Sequence, residues 1–585
     1  MNERERGPFG KPPNFLLILV DEERYPPVYE SEELQAWRRQ ALPAHERLKE
    51  HAVQFNRHTI GSAACCPSRA TLLTGQYPSL HGVSQTNGVA KEAFDSDMFW
   101  LGRNTVPTMG HYFREAGYQT YYKGKWHVTQ ADLVTPGTHH SVPSYHPLTG
   151  VPDPAREALY RQADPLDPYG FSSWIGPEPH GKNPRNSGSS AAIGLSGRDE
   201  VYGAEAVELL ETLDRESRHN DSAKPWLVVA SFVNPHDIVL YGSLTERLPV
   251  FRFAVDPMPP VPPPPTEGET LATKPRCQAS YRRIYPRALQ PIGNRAHYRQ
   301  LYYQLQKEAD RQMLRVLDAL DRSSFRDDTI VLFTSDHGEL LGAHGGLHQK
   351  FYCAYEEMLH VPFVIQNKRL FPERMRVDAL TSHVDLLPTM LGLAGADAAA
   401  IRRRLSASFT EAYPLVGRDL SPLLMGSGEA DTLPREEPVY YMSDDDVTRG
   451  QHQVSPLGWP YPSVCQPNHI ETVLAAIGEG DARELWKYSR YFDNPRFWMD
   501  PGSGEVESCS AEEPAYGWPA RPPDRVKTVP APEEYELYNL TADPLETHNL
   551  AHPALATERS RSMQAYMAAL LEDQRKRKRL EPSLR

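Results

Sequence analysis

Asn14-Phe15-Leu16-Leu17-Ile18-Leu19-Val20-Asp21-Glu22 is an apolar run that stops abruptly on two acids. No polar residue alternates along it, so it reads as a strand buried on both faces, the habit of parallel sheets covered by helices. Thr329 to Phe333 (TIVLF) repeats the pattern and leads into Thr334-Ser335-Asp336-His337-Gly338. Trp226 to Val233 (WLVVASFV) and Pro362 to Ile365 read as further strands. His297 to Leu320 predicts a helix, with Leu305, Ala309, Met313, Val316, Leu317 and Leu320 along one apolar stripe. Strands interleaved with helices predict an α/β fold built on a large, mixed, mostly parallel sheet. Ligands of such sheets gather beyond the carboxyl ends of the strands, where both acidic pairs fall.

A chain of 585 residues exceeds what one small core requires. The expected division is a large domain over 1–430 and a smaller C-terminal α+β subdomain over 431–585, because polar and Gly/Pro-containing sequence follows Gly417 to Gly426. Asp256 to Thr270 (DPMPPVPPPPTEGET) is too rich in proline for an internal strand or helix and predicts a surface excursion along the rim of the site. The net charge of −13 argues against a nucleic-acid partner, and the one dense basic run, Arg575 to Arg579, reads as a solvated tail. Met1 to Pro13 carries no long apolar segment, so no membrane partner is expected. Six cysteines, four of them scattered at Cys277, Cys353, Cys465 and Cys509, make no disulfide scaffold or zinc pattern, and a cytoplasmic location is the expectation. The sequence leaves the oligomeric state open.

Four further stretches carry chemistry. In Cys65-Cys66-Pro67-Ser68-Arg69-Ala70-Thr71-Leu72-Leu73-Thr74-Gly75, proline suits the first turn of a helix. Cys65 would then sit at a helix N-terminus that attracts anions, with Arg69 on the same face, and a bare thiol there would gain reactivity. In Gly124-Lys125-Trp126-His127, extended geometry would turn Lys125 and His127 to one side, leaving Lys123 toward solvent. Asn234-Pro235-His236 follows an apolar run and offers a histidine that titrates near neutral pH. Lys350 stands in His348-Gln349-Lys350, with His344 and His348 as lesser candidates for substrate contact. Asp21 and Asp336 offer hard oxygen ligands suited to Ca²⁺, with Mg²⁺ or Mn²⁺ as alternatives, and His337 stands beside them.

Cys65-x-Pro-Ser-Arg followed by Leu73-Thr74-Gly75 resembles the signature of the formylglycine-dependent sulfatases, within the alkaline phosphatase-like superfamily. The resemblance extends through Gly124-Lys125-Trp126-His127, Pro235-His236 and Lys350, and more weakly through Ser382 to Thr389, Tyr538 to Leu540, Asp543-Pro544 and Asn549-Leu550. It implies that a formylglycine-generating enzyme oxidises Cys65, not Cys66, to formylglycine, and that the substrate is a small sulfated molecule. It further implies that Asp21, Asp336 and His337 surround one divalent metal, with Glu22 either a direct ligand or a support behind the ligands, and Asp336 a candidate base. Arg69, Lys125 and Lys350 would steady the sulfuryl oxygens, His236 would protonate the leaving oxygen, and His127 would take the proton that releases sulfate. The sequence departs from the family pattern at Gln76, usually Arg, at Glu22, often Asp, and at His337, often Asn. The Asp-His variant also occurs in family members that cleave phosphonate and phosphate esters, so a phosphonate monoester or phosphodiester hydrolase is the alternative. An inactive anion-binding protein of the same fold is the alternative of another class.

Overall fold

The computed structural model describes residues 9–179, 184–188, 196–219, 223–426, 437–498 and 529–582. Residues 427–436, where the domain change was expected, lie outside that set, as do Met1 to Pro8 and Cys509.

The first apolar run forms β1, Asn14–Asp21, and β2 is Ala52–Thr59. They are followed by β3 (Gln119–Gly124), β4 (Trp226–Pro235), β5 (Thr329–Ser335) and β6 (His360–Gln366), then the short β7 (Met375–Val377) and β8 (Thr381–Ser382). These make one eight-stranded sheet in the order β3-β4-β1-β5-β6-β2-β7, with β8 also paired to β2. β3, β4, β1 and β5 run parallel, and β6 is antiparallel to both β5 and β2, so the sheet is mixed but mostly parallel.

The side chains of β1 alternate between two cores. Phe15, Leu17 and Leu19 pack with Cys66, Leu72, Met390 and Leu391, whereas Leu16, Ile18 and Val20 pack with Leu210, Met313, Val316 and Leu320. Every one of them is fully buried. At about 1.5–3 kcal/mol for each large apolar side chain removed from water, this strand is a principal source of stability. The expected helix spans Arg295–Arg322, with Asn294 accepting from the His297 N–H as its N-cap.

A second sheet, wholly antiparallel, is formed by β9 (Val439–Ser443), β10 (His469–Ile477), β11 (Glu484–Phe492) and β12 (Glu534–Asn539), in the order β12-β11-β10-β9. Its period-two pattern buries Val439, Tyr441, Ile470 and Leu474 against Tyr281, Tyr355 and Met358 of the larger body. Tyr440, Met442, Val473 and Trp486 face the other way, toward Met567 and Leu571 of the helix Glu558–Lys578. That helix corrects one expectation. Arg575 to Arg579 is solvated only in part: Lys576 and Arg577 are exposed, whereas Arg575 and Arg579 pair with the fully buried Glu471 on β10, and Arg579 also reaches Asp444.

Candidate functional site

Four strand ends deliver the site. Asp21 closes β1, Asp336 follows β5, His236 follows β4, and Lys125 follows β3. Cys65 enters from the other side as the first residue of the helix Cys65–Thr74, which Gly75 ends with a left-handed φ of 63°. Asp336 is tied back to β1 by donating its N–H to Val20 O at 3.2 Å, and its Oδ1 accepts the Glu22 N–H at 3.1 Å. The strand pairing thus sets the two acids side by side.

Arg69 lies fully buried beneath them. It donates Nε–H to Asp336 Oδ2 (2.8 Å) and Nη2–H to Asp21 Oδ2 (2.9 Å), with Nη1 to Lys125 O and Ser231 Oγ, both at 2.8 Å. With its fork so engaged, Arg69 orients the carboxylates. Lys125 Nζ stands 2.6 Å from Asp21 Oδ2, and Lys350 Nζ donates to Glu22 Oε2 at 2.9 Å. Burial alone would raise the Asp21 carboxyl, but the Lys125 ammonium and the Arg69 guanidinium hold it well below the ordinary range. Burial and the neighbouring Asp21 charge raise Asp336, and burial raises Glu22 strongly despite Lys350.

The ring of His337 donates Nδ1–H to Gly338 O at 3.0 Å, which leaves the Nε2 lone pair pointing inward, 3.7 Å from Asp21 Oδ1 and from Asp336 Oδ1. Asp21, Asp336, His337 and Cys65 present donor atoms within 4.8 Å of one another. Glu22 Oε1 is buried there with no hydrogen-bond partner among the described residues. Converging carboxylates, an imidazole lone pair and an orphaned carboxylate oxygen fit a divalent cation. Cys65 Sγ lies 3.1 Å from His337 Nε2 and 3.9 Å from Asp21 Oδ1. Its thiol is not activated, contrary to the helix-terminus expectation: burial and the Asp21 charge push it up to about 11.

Lys125 reaches Asp21, and His127 Nε2 lies 2.7 Å from Asn87 Oδ1, but the two are not alternate residues of a strand. β3 stops at Gly124, and His127 turns back with a φ of 56°. Lys123, expected in solvent, is buried, and its Nζ donates to Ser173 O at 2.6 Å beside Glu205. His236 is 9% exposed, and burial together with Lys125 holds it well below the ordinary histidine value. His344 belongs elsewhere: despite its burial, Glu357 and Glu269 raise it to about 9 in a network of its own. His348 is packed between Tyr285 and Tyr298.

Several supports had no legible role in the sequence. Ser68 Oγ donates to the Asp336 carbonyl, and His383 Nε2 meets Ser335 O at 3.0 Å. Tyr302 OH donates to Glu22 O (2.8 Å) and accepts from the Arg24 N–H (3.0 Å). Ser68 and His383 had a signal, the first from its place within the Cys65 motif and the second from the Ser382 to Thr389 stretch; Tyr302 comes from the distant helix Arg295–Arg322.

Residues 13–396 match the family model described as Sulfatase. An uncharacterized sulfatase of Escherichia coli strain K12, YidJ, is 29% identical over 402 residues, covering 66% of this chain and 68% of the relative. Among solved structures, BT1596, a 2-O GAG sulfatase, matches with a TM-score of 0.57 at 20% identity, covering 97% of this chain and 93% of that one. The phosphonate monoester hydrolase of Agrobacterium radiobacter matches with a TM-score of 0.55 at 19% identity, covering 97% and 96%.

Proposed function

Because this chain belongs to the sulfatase family and is a sulfuric ester hydrolase, we propose that it cleaves a sulfate monoester to an alcohol or phenol and inorganic sulfate, using formylglycine made from Cys65. The observation that carries this reading is the position of Cys65 Sγ against His337 Nε2 and Asp21 Oδ1, inside a chamber walled by buried carboxylates and cations. A thiol raised to about 11 is a poor nucleophile at neutral pH, which favours the oxidised residue as the reactive form. Formylglycine as its hydrate would supply an oxygen nucleophile and a second hydroxyl, and a cation, Ca²⁺ by the hardness of the carboxylates, would be held by Asp21, Asp336, His337 and Glu22 and would supply Lewis-acid polarisation.

The chain's own groups do the rest. The Lys125 and Lys350 ammoniums both act electrostatically on the Cys65 position and would bind the sulfuryl oxygens there. Fixed donors of this sort contribute about 3–4 kcal/mol each to the transition state. Arg69 keeps the two aspartates in register. His236, at the more open edge of the chamber, would give a proton to the departing oxygen, and His127 would accept one as sulfate is released. His236 is neutral in the free enzyme because of burial and Lys125, so its proton has to be gained with the bound anion nearby.

A second reading, a phosphonate monoester or phosphodiester hydrolase, is favoured by the His337 imidazole in the donor set. A panel of aryl sulfates and phenyl phosphonate esters, assayed with metal-replete protein whose residue 65 has been verified as aldehyde, separates the two. The sulfatase reading expects the larger kcat/KM on the sulfate; a preference for the phosphonate overturns it.

A further inference from the structure

We infer that Asn87 is a positioning residue for His127: its side-chain carbonyl fixes which ring nitrogen carries the proton and so which one accepts it. This rests on the proton-accepting role proposed for His127. His127 Nε2 lies 2.7 Å from Asn87 Oδ1. The Cys66 thiol points at the same oxygen from 3.9 Å, so two donors converge on Oδ1 and set the orientation of the amide. An amide oxygen only accepts, so the bond requires a proton on Nε2 and leaves the lone pair of neutral His127 on Nδ1.

The backbone is held independently. Glu178 accepts the Trp126 N–H at 3.1 Å and the His127 N–H, which pins the turn at its φ of 56°. Trp100 flanks the ring at 6.3 Å between centroids. Glu178 thus sets where the residue sits and Asn87 sets how its ring is turned. The half-buried Asn87 comes from the loop after the short helix Pro78–His81, which itself follows the Cys65–Thr74 helix, so the segment carrying the nucleophile also orients the histidine. Among the described residues, the titratable and charged groups around this unit include Glu178 behind the turn, which burial and Asp132 raise to about 8 and on which Lys125 and Arg69 also act, and Asp445, whose charge acts on Cys66.

The test has an arm that needs no turnover. In protein with unmodified Cys65, deuterium exchange at the imidazole C2 position, read by peptide mass across pH, gives the titration midpoint of His127. Asn87→Asp puts a full charge on the accepting oxygen and should raise that midpoint by about one unit or more. In mature enzyme, Asn87→Ala should lower kcat roughly tenfold or more, the size typical of losing a ring-orienting partner, with the larger change in kcat rather than KM. An unmoved midpoint in Asn87→Asp overturns the inference whatever the activity. A change confined to KM in Asn87→Ala also overturns it and makes Asn87 a substrate contact. Should wild-type protein fail to cleave sulfate esters, the exchange arm still decides the positioning role while the functional reading falls separately.

Discussion

At the residue scale the site depends on a few buried charges that hold one another in place. Asp21→Asn or Asp336→Asn removes an anionic oxygen from the donor group and also frees a donor of Arg69. Each is expected to cost tenfold or more in metal affinity, roughly, and activity with it; elemental analysis after dialysis reads the metal, and full metal content in either variant contradicts the assignment. Glu22→Gln should cost less, since Glu22 already has Lys350 as a partner. His236→Ala should harm esters of high-pKa alcohols more than activated aryl esters, because a stable phenolate departs with little help. Equal losses across phenols of graded pKa would make His236 a binding group instead. The sequence showed which residue types would meet, because Asp21, Asp336 and His236 each end an apolar run. It did not show that Arg69 would be engaged with carboxylates, since that depends on a strand pairing that joins residues 21 and 336. Nor did it show that burial and Asp21 would raise Cys65, because helix-terminus reasoning sees the local dipole and not the acid opposite.

At the element scale, the helix Pro43–Leu48 is anchored by His45, whose Nδ1 lies 2.6 Å from Asp310 Oδ1 and Nε2 2.9 Å from Glu23 Oε1. Despite burial, Glu23 and Asp310 raise this histidine to about 9. With the folded value above the unfolded one of roughly 6.5, its stabilisation is full below that pH and fades as pH rises through the folded value. The Tm difference between wild type and His45→Gln should therefore be largest near about pH 6 and shrink on the way to about pH 10; a difference that grows with pH contradicts the assignment. The elements most legible in the sequence were β1, β4, β5 and the Arg295–Arg322 helix, each with a strong apolar period. Lys125 to His127 was misread as strand because period-two reasoning continues past Gly124, whereas that glycine's φ of 99° and its close approach to Ser231 O end the strand there.

At the scale of the whole molecule, the two sheets are joined by buried ion pairs as well as apolar packing. Lys487 on β11 lies between Glu356 of the larger body (3.1 Å) and Glu546 (2.5 Å), and it is 1% exposed. Lys487→Met would leave the buried Glu546 and the half-buried Glu356 without their cation, a change that costs up to about 3–5 kcal/mol. Chemical denaturation should show that loss; a change below about 1 kcal/mol would mean that the acids relax to solvent. The basic run at 575–579 was misjudged for a related reason, since its partner Glu471 lies on a strand about a hundred residues away. All of this framework serves one claim, that Cys65 is made into the nucleophile. Peptide mass analysis of residue 65, in protein produced together with a formylglycine-generating enzyme, tests it most directly. The account predicts an aldehyde or its hydrate at residue 65, an intact thiol at Cys66, and turnover that rises in proportion to the converted fraction. An unconverted Cys65 in protein that hydrolyses sulfate esters at full rate, or conversion at Cys66, would contradict it.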